Sequence, residues 1–523
     1  MSSTSVATGW ELCRFDDVAR IVRGITFPTD AKSHRPAEGM VACLRTANVQ
    51  TSVEWGDLWF VPRKYVKSDE QYVRDGDVLI STANSYELVG KVARIQGIAQ
   101  ETSLGAFISL LRTEHGISDV YFYYLMSSER VQRAIRAMAS TTTNLSNVSG
   151  GKLKELFLPI APEGEQTRIV EKLEELLSDL DAGAAELKTA QRKLTQYRQS
   201  LLKAAVEGTL TANWRAARVE PQETGADLLQ RILAERRGRW ESKQLAKFAE
   251  QGKAPPKGWK AKYPEPVAPD TRSLPALPER WTWASIDQCA LDDDAITDGP
   301  FGSNLKSSHY TEDGPRVLRL QNIGDGHFVD SRAYISQSHY DSLGKHAVTD
   351  GDLVVAMLGE VLPRACVIPA GVAPAIVKAD CARIRLNIEL LVPEVLNAIL
   401  NSEPTRKRVA RLVKGIGRPR VNLGSLRTVT VPLPPRQEQI AIQNSLVDAL
   451  EACDQQNIAL DTGFRLAAAQ RKNILKAAFA GQLVPQDPND EPASALLARI
   501  RAERAGADAT PARKRGRKAK ESI

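Results

Sequence analysis

At 523 residues the chain exceeds what one ordinary hydrophobic core organises, so two to four domains are expected. With 42% hydrophobic and 25% charged residues it has the composition of a water-soluble globular protein, and no apolar run approaches the roughly 18 residues that cross a bilayer. The net charge of +7 suits a polyanionic partner but is modest for this length.

Taken in chain order, Met1 to Gly9 is rich in Ser, Thr and Ala and lacks a signal-peptide core, so a cytoplasmic protein is expected. A region of mixed character follows. "DGDVLIST" from Asp75 reads as a turn feeding a buried strand, and "DVYFYYLMSSERVQRAIRAMA" from Asp119 reads as helix. The polar loop "STTTNLSNVSGG" from Ser140 comes next. Its Thr142, Thr143, Asn144, Ser146 and Asn147 offer neutral hydrogen-bonding groups that suit base or sugar edges.

From Glu163 to Glu207 the apolar pattern changes period. Leu173, Leu180, Leu187, Leu194 and Leu201 recur every seven residues, and Ile169, Leu176, Ala190, Tyr197 and Ala204 are read as the alternate seam. Pro162 precedes the helix, Gly183 is its weak point and Gly208 is a plausible stop. About 42 helical residues would make a rod of roughly 63 Å. A charged helix over Ala226 to Ala249 follows. "KAPPKGWKAKYPEPVAPDTRSLPALPERW" (Lys253 to Trp281) then reads as a semi-extended linker.

The second half follows the same order. "DGPFGSNLKSSHY" from Asp298 offers Phe301, Ser303 and Lys306 as a candidate contact loop. "DGDLVVAM" from Asp350 is again a turn and strand, and "VPEVLNAILNSEPTRKRVARLV" from Val392 a helix. In "KGIGRPRVNLGS", Lys414, Arg418, Arg420 and Asn422 offer charge and bidentate donors that fit phosphates and guanine edges. A second long helix carries Leu446, Cys453, Leu460, Ala467 and Ile474 at heptad spacing, with Leu450 and Phe464 beside them. The chain closes on the basic stretch "PARKRGRKAKESI", expected to be disordered.

The two halves are copies. "LLKAAVEGTL" at Leu201 and "ILKAAFAGQL" at Ile474 stand 273 positions apart, and the match widens without a gap. Pro159, Pro162, Glu165 and Gln166 fall on Pro432, Pro435, Glu438 and Gln439. Upstream the likeness fades, with Trp10 set against Trp283. Each long helix leaves an apolar stripe to bury, and its copy is an available partner. A perpendicular pseudo-twofold axis would make that pairing antiparallel. The expected fold is therefore α+β: two mixed α/β domains separated by two long helices in an antiparallel coiled coil, with a pseudo-twofold internal repeat.

Catalytic signatures are missing. There is no phosphate-binding Walker loop, no Asn/Asp-Pro-Pro-Tyr/Phe motif and no nucleophile elbow. The six cysteines form no CxxC pair, and the six histidines match no ligand spacing, so no metal site is indicated.

The proline-ending exit, Glu-Gln pair, long helix, Lys-Ala-Ala and Gly-x-Leu recur in that order in both halves. In this the chain resembles the DNA-specificity subunit of type I restriction-modification enzymes. One departure is Ala161–Pro162 followed by Gly164, where the family usually has a run of prolines and a bulkier residue. The resemblance implies a non-catalytic subunit whose two target-recognition domains, residues 1–157 and 282–430, read the halves of a split asymmetric site in double-stranded DNA. Helical repeat regions would occupy 158–252 and 431–505, with a linker at 253–281 and a tail at 506–523. It further implies that two methyltransferase subunits dock on the helices and bring S-adenosylmethionine, this chain needing no cofactor or membrane, and that they methylate adenine. Whether two translocating endonuclease subunits join, or the chain serves a stand-alone methyltransferase, stays open. A protein-binding coiled-coil scaffold is the reading from another class.

Overall fold

The computed structural model describes residues 6–142, 145–218, 223–415 and 417–508. They form a mixed α+β fold in two compact units, one of residues 1–188 and 461–523, the other of residues 189–460. Each long helix, Glu163–Glu207 and Arg436–Ala478, contributes to both. The basic stretch after Asp508 lies outside the described residues.

In the first unit, strand Glu11–Arg14 pairs antiparallel with Phe157–Ile160. A four-stranded antiparallel sheet runs in the order Ala19–Arg23, Ile108–Thr113, Val78–Ser81, Val92–Arg94. A three-stranded sheet places Met40–Leu44 between Trp59–Pro62 and the parallel strand Thr102–Leu104. The interior strand Val78–Ser81 is buried along its whole length, as its apolar Val78, Leu79 and Ile80 require. Phe15, Tyr121, Phe122, Ile169, Leu173, Ala478, Phe479 and Leu496 join one core, which ties the ends of both long helices and the helix Ala493–Asp508 to these sheets.

The second unit has the corresponding pairings: Thr282–Ser285 with Thr430–Leu433, then Ile296–Asp298, Cys381–Ile384, Leu353–Ala356, Arg364–Val367 in order. Its other sheet has four strands, Tyr334–Ile335, Tyr310–Leu318, Ala375–Val377 and Ala347–Val348, with one parallel pair. Strand register corrects one expectation. Glu11 faces Ile160 as Thr282 faces Leu433, so Trp10 corresponds to Trp281 and not to Trp283. Two residues of slippage were invisible because the flanking strands share so little sequence.

The recurring motifs have local structural reasons. Gln166 accepts from Ser118 N at 3.0 Å and donates to Ala161 O at 3.0 Å; Gln439 accepts from Val392 N at 2.9 Å and donates to Pro434 O at 2.9 Å. Each glutamine thus staples a helix start to the preceding strand and to a neighbouring helix. Gly208 and Gly481 both sit at positive φ, 73° and 68°, just beyond the long helices, where a side chain would be strained.

The heptad leucines face inward. Leu173 and Leu194 are buried and Leu180, Leu187 and Leu201 half-buried; in the second helix Leu446 and Ile474 are buried, with Leu450, Leu460 and Phe464 half-buried. The alternate seam differs from the one expected. Ala190 and Tyr197 are exposed, and the inward positions are Leu177, Ala184, Gln191, Arg198 and Ala205. Two ion pairs follow from that seam. In the first unit Arg471 bonds Asp181 at 2.7 Å; in the second, Arg198 bonds Asp454 at 2.7 Å. The offset of 273 residues carries each pair onto the other.

The Glu-Gln glutamates are not equivalent. Glu438 is buried and accepts from Thr211 Oγ1 at 2.6 Å, Trp281 Nε1 at 2.7 Å and the Arg215 guanidinium. Glu165 is equally buried, yet its Oε1 and the Trp10 Nε1 have no hydrogen-bond partner among the described residues. Burial raises its pKa, with Trp10 and Arg168 acting in opposition. A carboxyl raised on folding adds stability below its unfolded pKa of about 4.3, and that contribution is lost as pH rises through the folded value. Glu165→Gln is therefore expected to raise the melting temperature at pH 7, with the difference from the parent vanishing near pH 4. An equal gain at both pH values would rule out ionisation as the cause.

All six cysteines are buried and free, and the thiols of Cys13, Cys43, Cys289, Cys366 and Cys381 are pushed up to about 12 by burial. No described helix is long and apolar enough to cross a membrane.

Candidate nucleic-acid interface

In the second unit the two loops singled out by sequence come together. Lys414 and Arg420 exchange backbone hydrogen bonds of 2.9 Å, closing a hairpin. Val421 N donates to Met357 O at 2.9 Å and Gly359 N to Pro419 O at 3.1 Å, so the hairpin lies along the chain leaving strand Leu353–Ala356. Arg420 stands 5.3 Å from the Phe301 ring centroid and 3.2 Å from the Asp380 carboxylate. That combination fixes a guanidinium against an aromatic face while leaving both partly open to solvent. Arg418 and Lys414 are exposed and make no ion pair among the described residues.

The Phe301 loop is held by a close approach. A Cβ on Gly299 would come within 2.1 Å of the Lys378 carbonyl carbon, so only glycine lets the chain pass there. Beyond it Ser303 and Lys306 are exposed, and His339 Nε2 is 2.9 Å from Asn304 O. Asn422 has another occupation: its side-chain oxygen accepts from Ser425 N at 2.7 Å and caps the helix Leu423–Arg427.

In the first unit, Ser140–Thr141 pairs with Ser146–Asn147, which pairs with Ala83–Asn84. Ser146 is buried and 3.0 Å from Thr141 Oγ1, so its hydroxyl is turned into the ribbon. Thr142 donates from both N and Oγ1 to Leu145 O, at 2.9 and 3.1 Å. Asn147 is exposed. Thr143 and Asn144 lie outside the described residues.

The sequence reading missed a second part of this surface. Phe27, Lys32, Arg45, Trp59 and Phe107 line a concavity of about 420 Å³. Lys32 Nζ is 4.2 Å from the Trp59 ring centroid and the Arg45 guanidinium 5.0 Å, with Phe27 edge-on at 6.3 Å. Phe107 is 63% exposed, and its carbonyl accepts from Ala83 N at 3.2 Å beside the polar ribbon. A Cβ on Gly24 would meet Gly105 O at 2.1 Å, the same constraint that Gly299 meets. That glycine was the available signal: "RGITFPTDAK" beside "TDGPFGSNLK" shares Gly, Phe and Lys in order. Arg45 and Trp59, far downstream, gave none.

Partly exposed cations on aromatic faces, with exposed cations and amide groups beside them, can hold phosphates and stack or hydrogen-bond base edges. Among the described residues no three His, Cys, Asp or Glu side chains gather as a metal would need.

Residues 7–191 match the model of the type I restriction modification DNA specificity domain. Over 526 residues the chain is 24% identical to the EcoKI specificity subunit of Escherichia coli K12, covering 97% of each chain. The chain belongs to the family of type I restriction-modification specificity subunits. Over 216 residues it is 30% identical to the StySPI specificity subunit of Salmonella potsdam, covering 41% of this chain and 46% of that one. A solved chain from work on complex assembly and conformational transition of the type I R-M system superposes with a TM-score of 0.58 at 15% identity, covering 91% of this chain and 99% of that one. As a specificity subunit, the chain recognises DNA sequence.

Proposed function

We propose that this specificity subunit reads a bipartite, asymmetric site in duplex DNA, one half-site with the domain of residues 1–157 and the other with that of residues 282–430. One observation carries the reading. The glycine-pinned loops, each with a phenylalanine and a lysine, and the ribbon ending at Asn147 and the hairpin ending at Arg420 stand at matching places in each unit, but the ribbon and the hairpin carry different side chains: Arg418 and Arg420 in one unit, Asn147 in the other. Equal placement with unequal chemistry is what two unlike half-sites ask of a duplicated reader.

The long helices act in this reading as an antiparallel, pseudo-twofold coiled coil that sets the spacing. The paired Arg471–Asp181 and Arg198–Asp454 contacts support it, because antiparallel copies bring each arginine against the other copy's aspartate. Two methyltransferase subunits dock on the helical regions and supply S-adenosylmethionine for adenine methylation, with endonuclease subunits as further partners. This chain contributes no catalytic residue.

Selection of bound duplexes from a random pool, with the methyltransferase subunits present, is expected to return two unlike half-sites at one fixed spacing. Recovery of a single contiguous motif would refute the bipartite reading. Inserting four residues after Gly183 is expected to change the tolerated spacer while leaving both half-sites the same; an unchanged spacer would mean that the helices do not set it.

A further inference from the structure

We propose that the end of helix Gly225–Glu250 and the loop after it form a basic arm that grips the phosphate backbone of duplex DNA without reading sequence, using none of the residues placed above in the recognition surface. The inference rests on the reading that the chain binds duplex DNA.

Between Arg236 and Lys262 stand nine Lys or Arg residues and two acidic ones, so this stretch alone equals the +7 surplus of the whole chain. Five of the nine are engaged. Arg236 bonds Asp287, Arg237 bonds Glu241, Arg239 bonds Glu235, Lys243 bonds Asp294 and Lys260 bonds Glu241. The other four, Lys247, Lys253, Lys257 and Lys262, are exposed and have no carboxylate within ion-pair distance among the described residues. Favourable placement at a helix C-terminus accounts for Lys247 at most, since the other three lie beyond the helix end.

The lysines are mounted on a braced scaffold. Trp240 stacks on Trp259 at 5.8 Å and 24°, Phe248 meets Trp259 edge-on at 5.9 Å, and Tyr263 meets Trp240 at 5.4 Å. Lys253 N donates to Phe248 O at 2.9 Å, turning the chain back, and Val267 N donates to Asp287 Oδ2 at 3.0 Å. The proline-rich segment expected to be a linker is therefore packed along its first part. A merely solvated charge run needs no such aromatic core.

The chemistry favours phosphates over a protein face. Lysine is depleted from protein interfaces, whose energetic centres are aromatic, and the arm's four aromatic rings are spent on one another. Compact, unpaired ammonium groups are what phosphate contacts use.

The test is the salt dependence of binding by the full-length chain to a duplex that lacks any recognition site. Each neutralised phosphate contributes about 0.9 to the slope of log affinity against log salt. Replacing Lys247, Lys253, Lys257 and Lys262 together by Gln is expected to make the slope shallower by about 3 to 4. The variant would then lose about 100-fold less affinity than the parent between 50 and 200 mM salt. The fourfold Lys→Arg variant should restore the slope, which a folding defect would not permit. An unchanged slope in the Gln variant overturns the inference, and if methyltransferase subunits then fail to co-purify, the arm serves protein instead. A parent chain that binds no duplex at any salt fails at the earlier step, the recognition reading itself.

Discussion

Glu438→Ala is expected to lower the unfolding free energy by about 3 kcal/mol, read as a shift in the denaturant midpoint of the second unit. The carboxylate is 1% exposed and takes hydrogen bonds from Thr211, Arg215 and Trp281 at once. Its removal strands three donors, of which the Trp281 Nε1 is buried and the guanidinium only 23% exposed. Because Arg215 retains that outlet to water, the cost falls at the lower end of the range for breaking a buried ion pair. Glu438→Gln keeps one acceptor oxygen, for either the Thr211 hydroxyl or the Trp281 indole, and should cost less. The same change at Glu165 supplies the internal control, since Glu165 has no arginine bound to it and one oxygen already unpartnered. A cost below about 1 kcal/mol for Glu438→Ala would show that water replaces the carboxylate readily and that the network is incidental.

Arg418→Ala is expected to weaken binding to the cognate duplex by about 1–3 kcal/mol, on the order of ten- to hundredfold, if the guanidinium reads a base. Arg418 is exposed and makes no ion pair among the described residues, so its loss should leave stability alone. Arg420→Ala should weaken binding by a similar factor for two reasons. The side chain is itself a candidate contact, and it holds Phe301 and Asp380 together across the hairpin. Arg420→Lys separates these, because it keeps the charge but loses the planar fork that spans ring and carboxylate. A base contact reveals itself as relaxed specificity at one position; a phosphate contact weakens all sequences alike and flattens the salt slope by about one. Unaltered affinity in both alanine variants would remove the hairpin from the interface.

What could be read in the sequence depended on how each feature is encoded. The long helices were legible because an apolar residue at every seventh position survives in both copies, as leucine throughout the first and as Leu446, Cys453, Leu460, Ala467 and Ile474 in the second. Their alternate seam was not, because its middle is Ala184, Gln191 and Arg198. A polar residue half-buried in a seam looks like a surface residue until the partner helix shows the aspartate it meets. The hairpin and the Phe301 loop were legible as concentrations of charge and glycine. The concavity around Trp59 was not, because sheet topology assembles it from segments far apart in sequence. Ser146 and Asn422 show the converse limit. Both have the right chemistry for reading DNA, yet one is turned inward and the other caps a helix. The strap around Trp259 was read as linker because proline suppresses periodicity, while its few aromatics are enough to anchor it.

The sealed thiols have a practical consequence. A thiolate is the reactive form, and burial keeps these sulfurs both protonated and out of reach. Maleimide chemistry on the native fold should therefore be slow at every natural position. A cysteine introduced at Lys257 or Asn147 would then be modified first, without prior removal of the others. The wild-type background is thus ready for fluorophore or spin-label pairs that report how the subunit moves when it meets a duplex.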